Sequence, residues 1–232
     1  MPNRTPIPTS PFPSFVAFVA QTLTSCDYRL HPEEQALLSS RATPKRVREF
    51  TLGRAAVQLA LRRLLAVEPG PVLPGERGEP LWPAGVVGTL SHSHDLAVAA
   101  VARRTDCAGL GLDLQGPTSV DLVRLAPKIC LPAELAWIEK QPGSTADTLK
   151  LIFSAKESVY KALSGERWSF HDLLLQPGSE PHTLTGRLQR ALPPHFPTDT
   201  ELTIGWRIEG EYLLTFLVLP NPVAQTPPPL LH

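Results

Sequence analysis

The sequence predicts an α+β protein built as two halves of similar size that meet near residue 106. Segments with strand and helix patterns follow one another as strand and helix, then strands, then helices, then strands again. The chain has 232 residues, the length of one large domain or two small ones. Its hydrophobic content of 42% is enough for a substantial core.

Residues 1–13 and 220–232 are rich in proline, and the second stretch contains Pro227-Pro228-Pro229. Such segments bury too little apolar surface to offset the entropy of ordering, so both are expected as flexible tails. Residues 14–106 form the N-terminal half and 107–219 the C-terminal half. Phe15 to Ala20 reads as a first strand. A helix is predicted from Pro44 to Ala66, with Val47, Phe50, Leu52, Val57, Leu61, Leu64 and Leu65 on its apolar face. Glu68 to Pro83 is loop by its glycine and proline content.

Val86 to Leu90 and Leu96 to Ala102 read as a hairpin-like pair of strands bracketing Ser91-His92-Ser93-His94-Asp95. Ala108 to Leu114 is a further strand. Short helices are predicted at 118–127, capped by Thr118 or Ser119, and at 132–140, opened by Pro132. A long helix follows at 146–163, then strands at 183–189, 200–208 and 211–219. Trp168, Phe170 and Asp172 set a strand or turn after the long helix. No internal repeat is evident.

Composition excludes several function classes. There are 22 basic and 22 acidic residues and no long basic run, which argues against nucleic acid as the partner. No apolar run approaches the roughly 18 residues of a membrane span. The N-terminus lacks a charged segment followed by a long apolar one, so the expected location is the cytoplasm. Cys26, Cys107 and Cys130 are odd in number and form no CxxC, which suits packing residues in a reduced protein.

Three segments carry the chemistry. In Gly109-Leu110-Gly111-Leu112-Asp113-Leu114-Gln115 the leucines share one strand face. Gly111, Asp113 and Gln115 share the other, offering a carboxylate, an amide oxygen and room for close approach. In the long helix, Lys150, Ser154, Glu157 and Lys161 form one polar stripe, with Lys156 on its shoulder. Leu149, Ile152, Phe153, Val159, Tyr160 and Leu163 form the buried side. Magnesium takes few carboxylates and completes its shell with waters and phosphates, so Asp113 plus Glu157 suits it. A Glu-to-Lys pair at i,i+4 is also a common surface decoration. The third segment, Ser91-His92-Ser93-His94, reads as a phosphate cradle in an exposed turn, or as a plain capped turn. Zinc on His92 and His94 lacks further ligands at supporting spacing. A serine nucleophile lacks GxSxG.

Taken together and in this order, Leu90-Ser91-His92-Ser93, Gly111-Leu112-Asp113-Leu114-Gln115 and Phe153-Ser154-Ala155-Lys156-Glu157-Ser158-Val159-Tyr160-Lys161 resemble the Sfp-type 4′-phosphopantetheinyl transferases, EntD-like subgroup. Lys45 to Arg54 and Gly78 to Pro83 add to the likeness, which covers roughly residues 44–170.

The resemblance implies two α/β halves related by pseudo-twofold symmetry, with a coenzyme A (CoA) cleft between them. It implies transfer of the phosphopantetheine arm of CoA to a serine of an acyl- or peptidyl-carrier protein, releasing adenosine 3′,5′-bisphosphate. It implies Mg²⁺, with Mn²⁺ possible, on Asp113, Gln115 and Glu157. Glu157, Lys161 and Asp113 would be catalytic. Arg48, Arg54, Arg77, Ser91, His92, Lys156 and Lys161 would hold CoA. The basic first helix, through Arg62 and Arg63, would meet an acidic carrier, and the enzyme would be a monomer. Gln115 departs from the family's usual glutamate. A CoA-binding module with lost or attenuated transferase activity is the alternative that this residue raises.

Overall fold

The computed structural model describes residues 7–117, 122–163, 168–192 and 196–221. Two antiparallel sheets form its frame, as an α+β chain requires. The first holds β1 (Ala17–Thr22), β2 (Val86–Ser93) and β3 (Leu96–Arg103) in the order β1-β3-β2. The second holds β4 (Gly109–Gln115), β5 (Leu173–Pro177), β6 (Thr183–Leu188), β7 (Glu201–Glu209) and β8 (Tyr212–Leu219) in the order β4-β8-β7-β6-β5.

The sheets pack face to face. Val98 and Ala100 of β3 meet Leu110, Leu112 and Leu114 of β4 and Leu214 of β8 in one core. The leucine face of β4 therefore enters a core, as its alternation predicts. Each sheet carries a long helix on its other face. α2 (Pro44–Leu65) buries Leu52, Ala56, Val57, Ala60 and Leu61 against β1 and β3. α5 (Thr145–Ala162) buries Leu149, Ile152, Ala155 and Val159 against the second sheet. β3 lies between α2 and the second sheet, so Leu96 to Ala102 are buried without interruption.

Local chemistry sets the helix ends. The Thr43 hydroxyl accepts from Arg46 N at 3.2 Å, and Pro44 follows in the first turn, where no N–H is needed. Ala66 ends α2 with φ at 56°. Ser144 caps α5 by accepting from Asp147 N. Two shorter helices, α3 (Leu122–Ile129) and α4 (Pro132–Lys140), pack beside α5. The expected caps Thr118 and Ser119 lie outside the described residues.

Several expectations shift. β1 begins two residues later than its apolar run and takes in Gln21 and Thr22, which pair with Ala97 and Leu96. Ser91, His92 and Ser93 are not in an exposed turn. They extend β2 and pair with Val98, Ala97 and Leu96, and the chain reverses only at His94-Asp95, where His94 has φ 54°. β5 was not foreseen as a separate strand. Phe12, expected in a flexible tail, is 9% exposed because it finds Phe18 as a tilted and Phe216 as an edge ring partner. Tyr160, expected on the buried side of α5, is 46% exposed beside Trp168.

The halves share one local construction that the sequence hides. His31-Pro32-Glu33-Glu34 opens α1 (Pro32–Gln35), and Leu131-Pro132-Ala133-Glu134 opens α4. In each, the third helical residue is a fully buried glutamate that accepts from the backbone N–H before the proline. Each glutamate also binds a distant backbone N–H, Val72 for Glu34 and Leu175 for Glu134. Each faces a buried cation from the long helix of its half, Arg54 or Lys156.

Candidate active site

Asp113 is the centre of the site. It lies on β4 in register with Thr215 of β8 and is 3% exposed. Four donors satisfy its carboxylate. Oδ1 accepts from Lys161 Nζ at 2.7 Å and Ser91 Oγ at 3.0 Å. Oδ2 accepts from Gln115 Nε2 at 2.7 Å and Ser154 Oγ at 2.9 Å. Burial alone would raise its proton affinity, but Lys161 and the hydrogen bonds hold the carboxyl below its ordinary value.

Lys161 comes from the last turn of α5. Its ammonium also reaches Leu112 O at 3.1 Å and Ser91 Oγ at 3.2 Å, and the side chain stays one-quarter exposed. α5 approaches β4 this closely because Gly111 faces it. A Cβ there would collide with the Ser158 carbonyl oxygen.

Glu157 lies one turn before Lys161. Burial raises its proton affinity, Lys161 opposes, and the charge of Asp113 adds to the rise. Among the described residues its carboxylate has no hydrogen-bond or ion-pair partner within contact distance. It is therefore the acid of the pair that protein donors leave open to solvent.

Beside these groups is a cleft of about 240 Å³ lined by Arg77, Trp82, Leu90, Tyr160 and Lys161, residues of both halves. A second basic cluster lies on α2. The guanidinium groups of Arg46 and Arg54 stand 5.6 and 4.9 Å from the Phe50 ring centroid. Arg54 is 7% exposed, and its Nε and Nη1 have no hydrogen-bond partner. His92 feels Glu49, Arg46, Lys161 and Asp113, and burial lowers its proton affinity. It thus stands between the α2 cations and the carboxylates.

The structure brings Asp113, Glu157, Lys161, Gln115, Ser91 and His92 together, with Arg77 across the cleft. It sends Lys156 elsewhere. Lys156 is 0% exposed, and its ammonium donates to Glu134 Oε2, Ile129 O and Phe170 O at 2.8, 2.9 and 2.8 Å. The helical period turns it beneath α4, so it is not an open phosphate ligand. Ser91 is also committed, since its oxygen accepts from Leu114 N at 3.0 Å while it donates to Asp113. With Ser93, which accepts from Gly116 N, it fastens β2 to β4 across the two sheets. Arg46 and Arg48 are both exposed on α2, and Arg46 is the one whose charge reaches His92 and Arg54. Arg62 and Arg63 are both engaged, Arg62 with Glu68 and Arg63 with Phe18 O.

Comparison with known proteins agrees with this geometry. Residues 33–102 match a family model for the 4′-phosphopantetheinyl transferase N-terminal domain, and residues 109–216 match the 4′-phosphopantetheinyl transferase superfamily. The chain is 34% identical to the 4′-phosphopantetheinyl transferase PptT of Mycobacterium tuberculosis over 80% of this chain and 85% of that protein. It belongs to the 4′-phosphopantetheinyl transferase family. The transferase Svp of Streptomyces mobaraensis is 41% identical over 68% of this chain, which spans 65% of Svp's own length. Enterobactin synthase component D of Escherichia coli K12 is 37% identical over 51% of this chain and 55% of that protein.

Within this family frame, the residues can be tested against a divalent cation. Asp113 and Glu157 supply two carboxylates, and the bare Glu157 is a demand for positive charge that a cation would meet. Gln115 points its N–H at Asp113, so the amide must turn to present its oxygen. Two carboxylates are the protein donors a magnesium-type site uses, with water and phosphate oxygens completing its shell.

Proposed function

We propose that this chain transfers the 4′-phosphopantetheine arm of CoA to a serine hydroxyl of an acyl- or peptidyl-carrier protein. The observation that carries the reading is the meeting of Asp113, Glu157 and Lys161 beside a cleft lined from both halves. The serine oxygen forms a bond to the β-phosphorus of CoA. The bond from that phosphorus to the bridging oxygen breaks, and adenosine 3′,5′-bisphosphate leaves with the electron pair.

Each residue has a task in that step. Glu157, whose proton affinity is raised by burial, takes the serine proton. Lys161, part-exposed at the cleft, neutralises charge on the phosphate under attack. Arg77 and Lys161 at the cleft would meet CoA phosphates, with Arg46 beside His92, Arg48 exposed on α2 and Arg54 buried behind them against Glu34. Asp113, Glu157 and Gln115 would hold Mg²⁺ or Mn²⁺, which supplies charge neutralisation at the pyrophosphate when bound.

A monomer acting in the cytoplasm completes the reading. All three cysteines are free thiols, as a reducing compartment allows, and no described helix is long and apolar enough to cross a membrane.

Intact-mass spectrometry of an apo carrier protein incubated with the chain, CoA and Mg²⁺ tests this. The expected gain is one phosphopantetheine arm, lost with EDTA or with Glu157→Gln. A second reading is favoured by Gln115, whose amide covers Asp113 with an N–H. It is a CoA-binding module without transfer, and it predicts CoA binding by calorimetry with no mass gain on any carrier.

A further inference from the structure

Ser154, Ser158 and Thr215 form a hydroxyl ladder that runs from the protein interior to Asp113. All three are fully buried. Thr215 Oγ1 is 2.6 Å from Ser158 Oγ and 2.9 Å from Ser154 Oγ, and it donates to Ser154 O at 2.8 Å. Ser158 Oγ also reaches Thr215 O at 3.0 Å. Ser154 Oγ then donates to Asp113 Oδ2 at 2.9 Å.

The proton directions are constrained. Ser154 spends its single hydroxyl proton on a carboxylate, which has none to give. The single Thr215 proton is shared between the Ser154 carbonyl and Ser154 Oγ, and the Ser158 proton between Thr215 Oγ1 and Thr215 O, so each rung donates toward the anion. Such chained donors strengthen one another in a dry interior.

The ladder also has a geometric consequence. Ser154 and Ser158 are one helical turn apart on α5, and Glu157 lies between them. Thr215 belongs to β8, the strand that pairs Asp113 through its own register position. Thr215 thus ties the helical turn bearing one carboxylate to the strand pair bearing the other. Both serines and the threonine are wholly withdrawn from the surface, so none touches a substrate.

We propose that Thr215 is a positioning residue for the transfer reaction. Acting through Ser154 and Ser158, it fixes the separation and orientation of Asp113 and Glu157 and so sets divalent-cation affinity. The proposal rests on the transferase reading of the same site.

The experiment compares the full-length chain with Thr215→Val, which keeps the shape and removes the hydroxyl, and Thr215→Ser, which restores it. Mn²⁺ binding is read by electron paramagnetic resonance, CoA binding by calorimetry, and kcat and KM with an apo carrier. Thr215→Val is expected to weaken Mn²⁺ binding about tenfold or more and to lower kcat, with the CoA dissociation constant changed less than about twofold. Thr215→Ser is expected to return Mn²⁺ affinity to within about threefold of wild type. Ser158→Ala, which removes only the far rung, gives a second measurement if Thr215→Val does not fold. A smaller loss of Mn²⁺ affinity in that variant supports the proposal.

Unchanged Mn²⁺ affinity in a folded Thr215→Val or Ser158→Ala protein, with wild type binding the ion and transferring, overturns the positioning role alone. Equal losses in Thr215→Val and Thr215→Ser overturn it as well, since shape rather than the hydroxyl would then matter. A wild-type chain that binds no Mn²⁺ and modifies no carrier overturns the transferase reading and this proposal together.

Discussion

Lys156 Nζ lies 2.8 Å from Glu134 Oε2, and both side chains are wholly withdrawn from water. Five residues later on α5, Lys161 makes a pair with Asp113 at 2.7 Å beside an open cleft. One helix thus carries two lysine–carboxylate pairs of opposite use. The first has every ammonium proton taken by the protein. The second keeps a side chain that a phosphate can reach.

Lys156→Met is expected to cost roughly 3–5 kcal/mol, the range for leaving one member of a buried ion pair uncompensated. Chemical denaturation reads it directly. In whatever fraction remains folded, KM for CoA should stay near wild type. A raised KM with unchanged stability would return Lys156 to the phosphate-binding set.

Lys161→Met should lower kcat about a hundredfold or more with an apo carrier, as loss of a charge-stabilising donor does. It should also alter acid stability. The folded pKa of Asp113 lies below its unfolded value, so its stabilisation is present above the unfolded value and fades as pH falls through the folded one. Removing Lys161 removes the main opposition to burial and moves the folded value up. The acid-dependent fall in melting temperature should then be smaller than in wild type and be complete at a higher pH. Superimposable curves would mean that Lys161 does not hold Asp113 ionised.

Glu157 must be ionised to accept a proton, and burial raises its pKa from the model-peptide value. The acidic limb of kcat/KM should therefore lie above the usual glutamate range at limiting Mg²⁺ and move down as Mg²⁺ saturates, since the cation favours the ionised carboxylate. Low pH protonates the base and removes activity, while rising pH restores it. Glu157→Gln should lose at least about a hundredfold in kcat and show no such limb. A limb that does not move with Mg²⁺ would point to a different base.

Much of this was legible in the chain. The alternation of Leu110, Leu112 and Leu114 placed Asp113 on the opposite face, and helical stacking placed Glu157 beside Lys161. What stayed hidden depended on tertiary contacts. Whether a lysine on the shoulder of a stripe is open or buried depends on what covers it, and α4 covers Lys156. Ser91 and Ser93 look like turn residues because serine favours turns, yet their hydroxyls serve β4 in the neighbouring sheet. Phe12 lies in a proline-rich tail by composition, but Phe216 from the far end of the chain offers it a ring.

Gln115→Glu restores a second carboxylate to the face of β4 that carries Asp113. Without metal it replaces a donor to Asp113 with a like charge, so the variant should melt lower than wild type. Saturating Mg²⁺ should raise its melting temperature more than that of wild type, because ligand binding stabilises in proportion to affinity. Half-maximal activity should need less Mg²⁺. Equal thermal shifts in both proteins would show that position 115 does not face the ion.

Gly111 and Gly109 test whether the spacing of α5 from β4 sets the chemistry or only the stability. A Cβ on Gly111 would meet the Ser158 carbonyl oxygen, and one on Gly109 would meet that of Ala162. Both are backbone atoms, so neither collision is relieved by a side chain swinging aside. Each alanine variant should lose about 1–3 kcal/mol, the usual range for overpacking. Their catalytic effects should differ. Ser158 follows Glu157 directly, so pushing the helix away there separates Glu157 from Asp113 and lowers both kcat and Mn²⁺ affinity. Ala162 ends α5, beyond Lys161, where the chain can give way without moving Glu157. Gly109→Ala should therefore retain Mn²⁺ affinity at a temperature where it is fully folded. Equal losses of Mn²⁺ affinity in the two variants would mean that the carboxylate spacing is held by something other than this helix–strand contact.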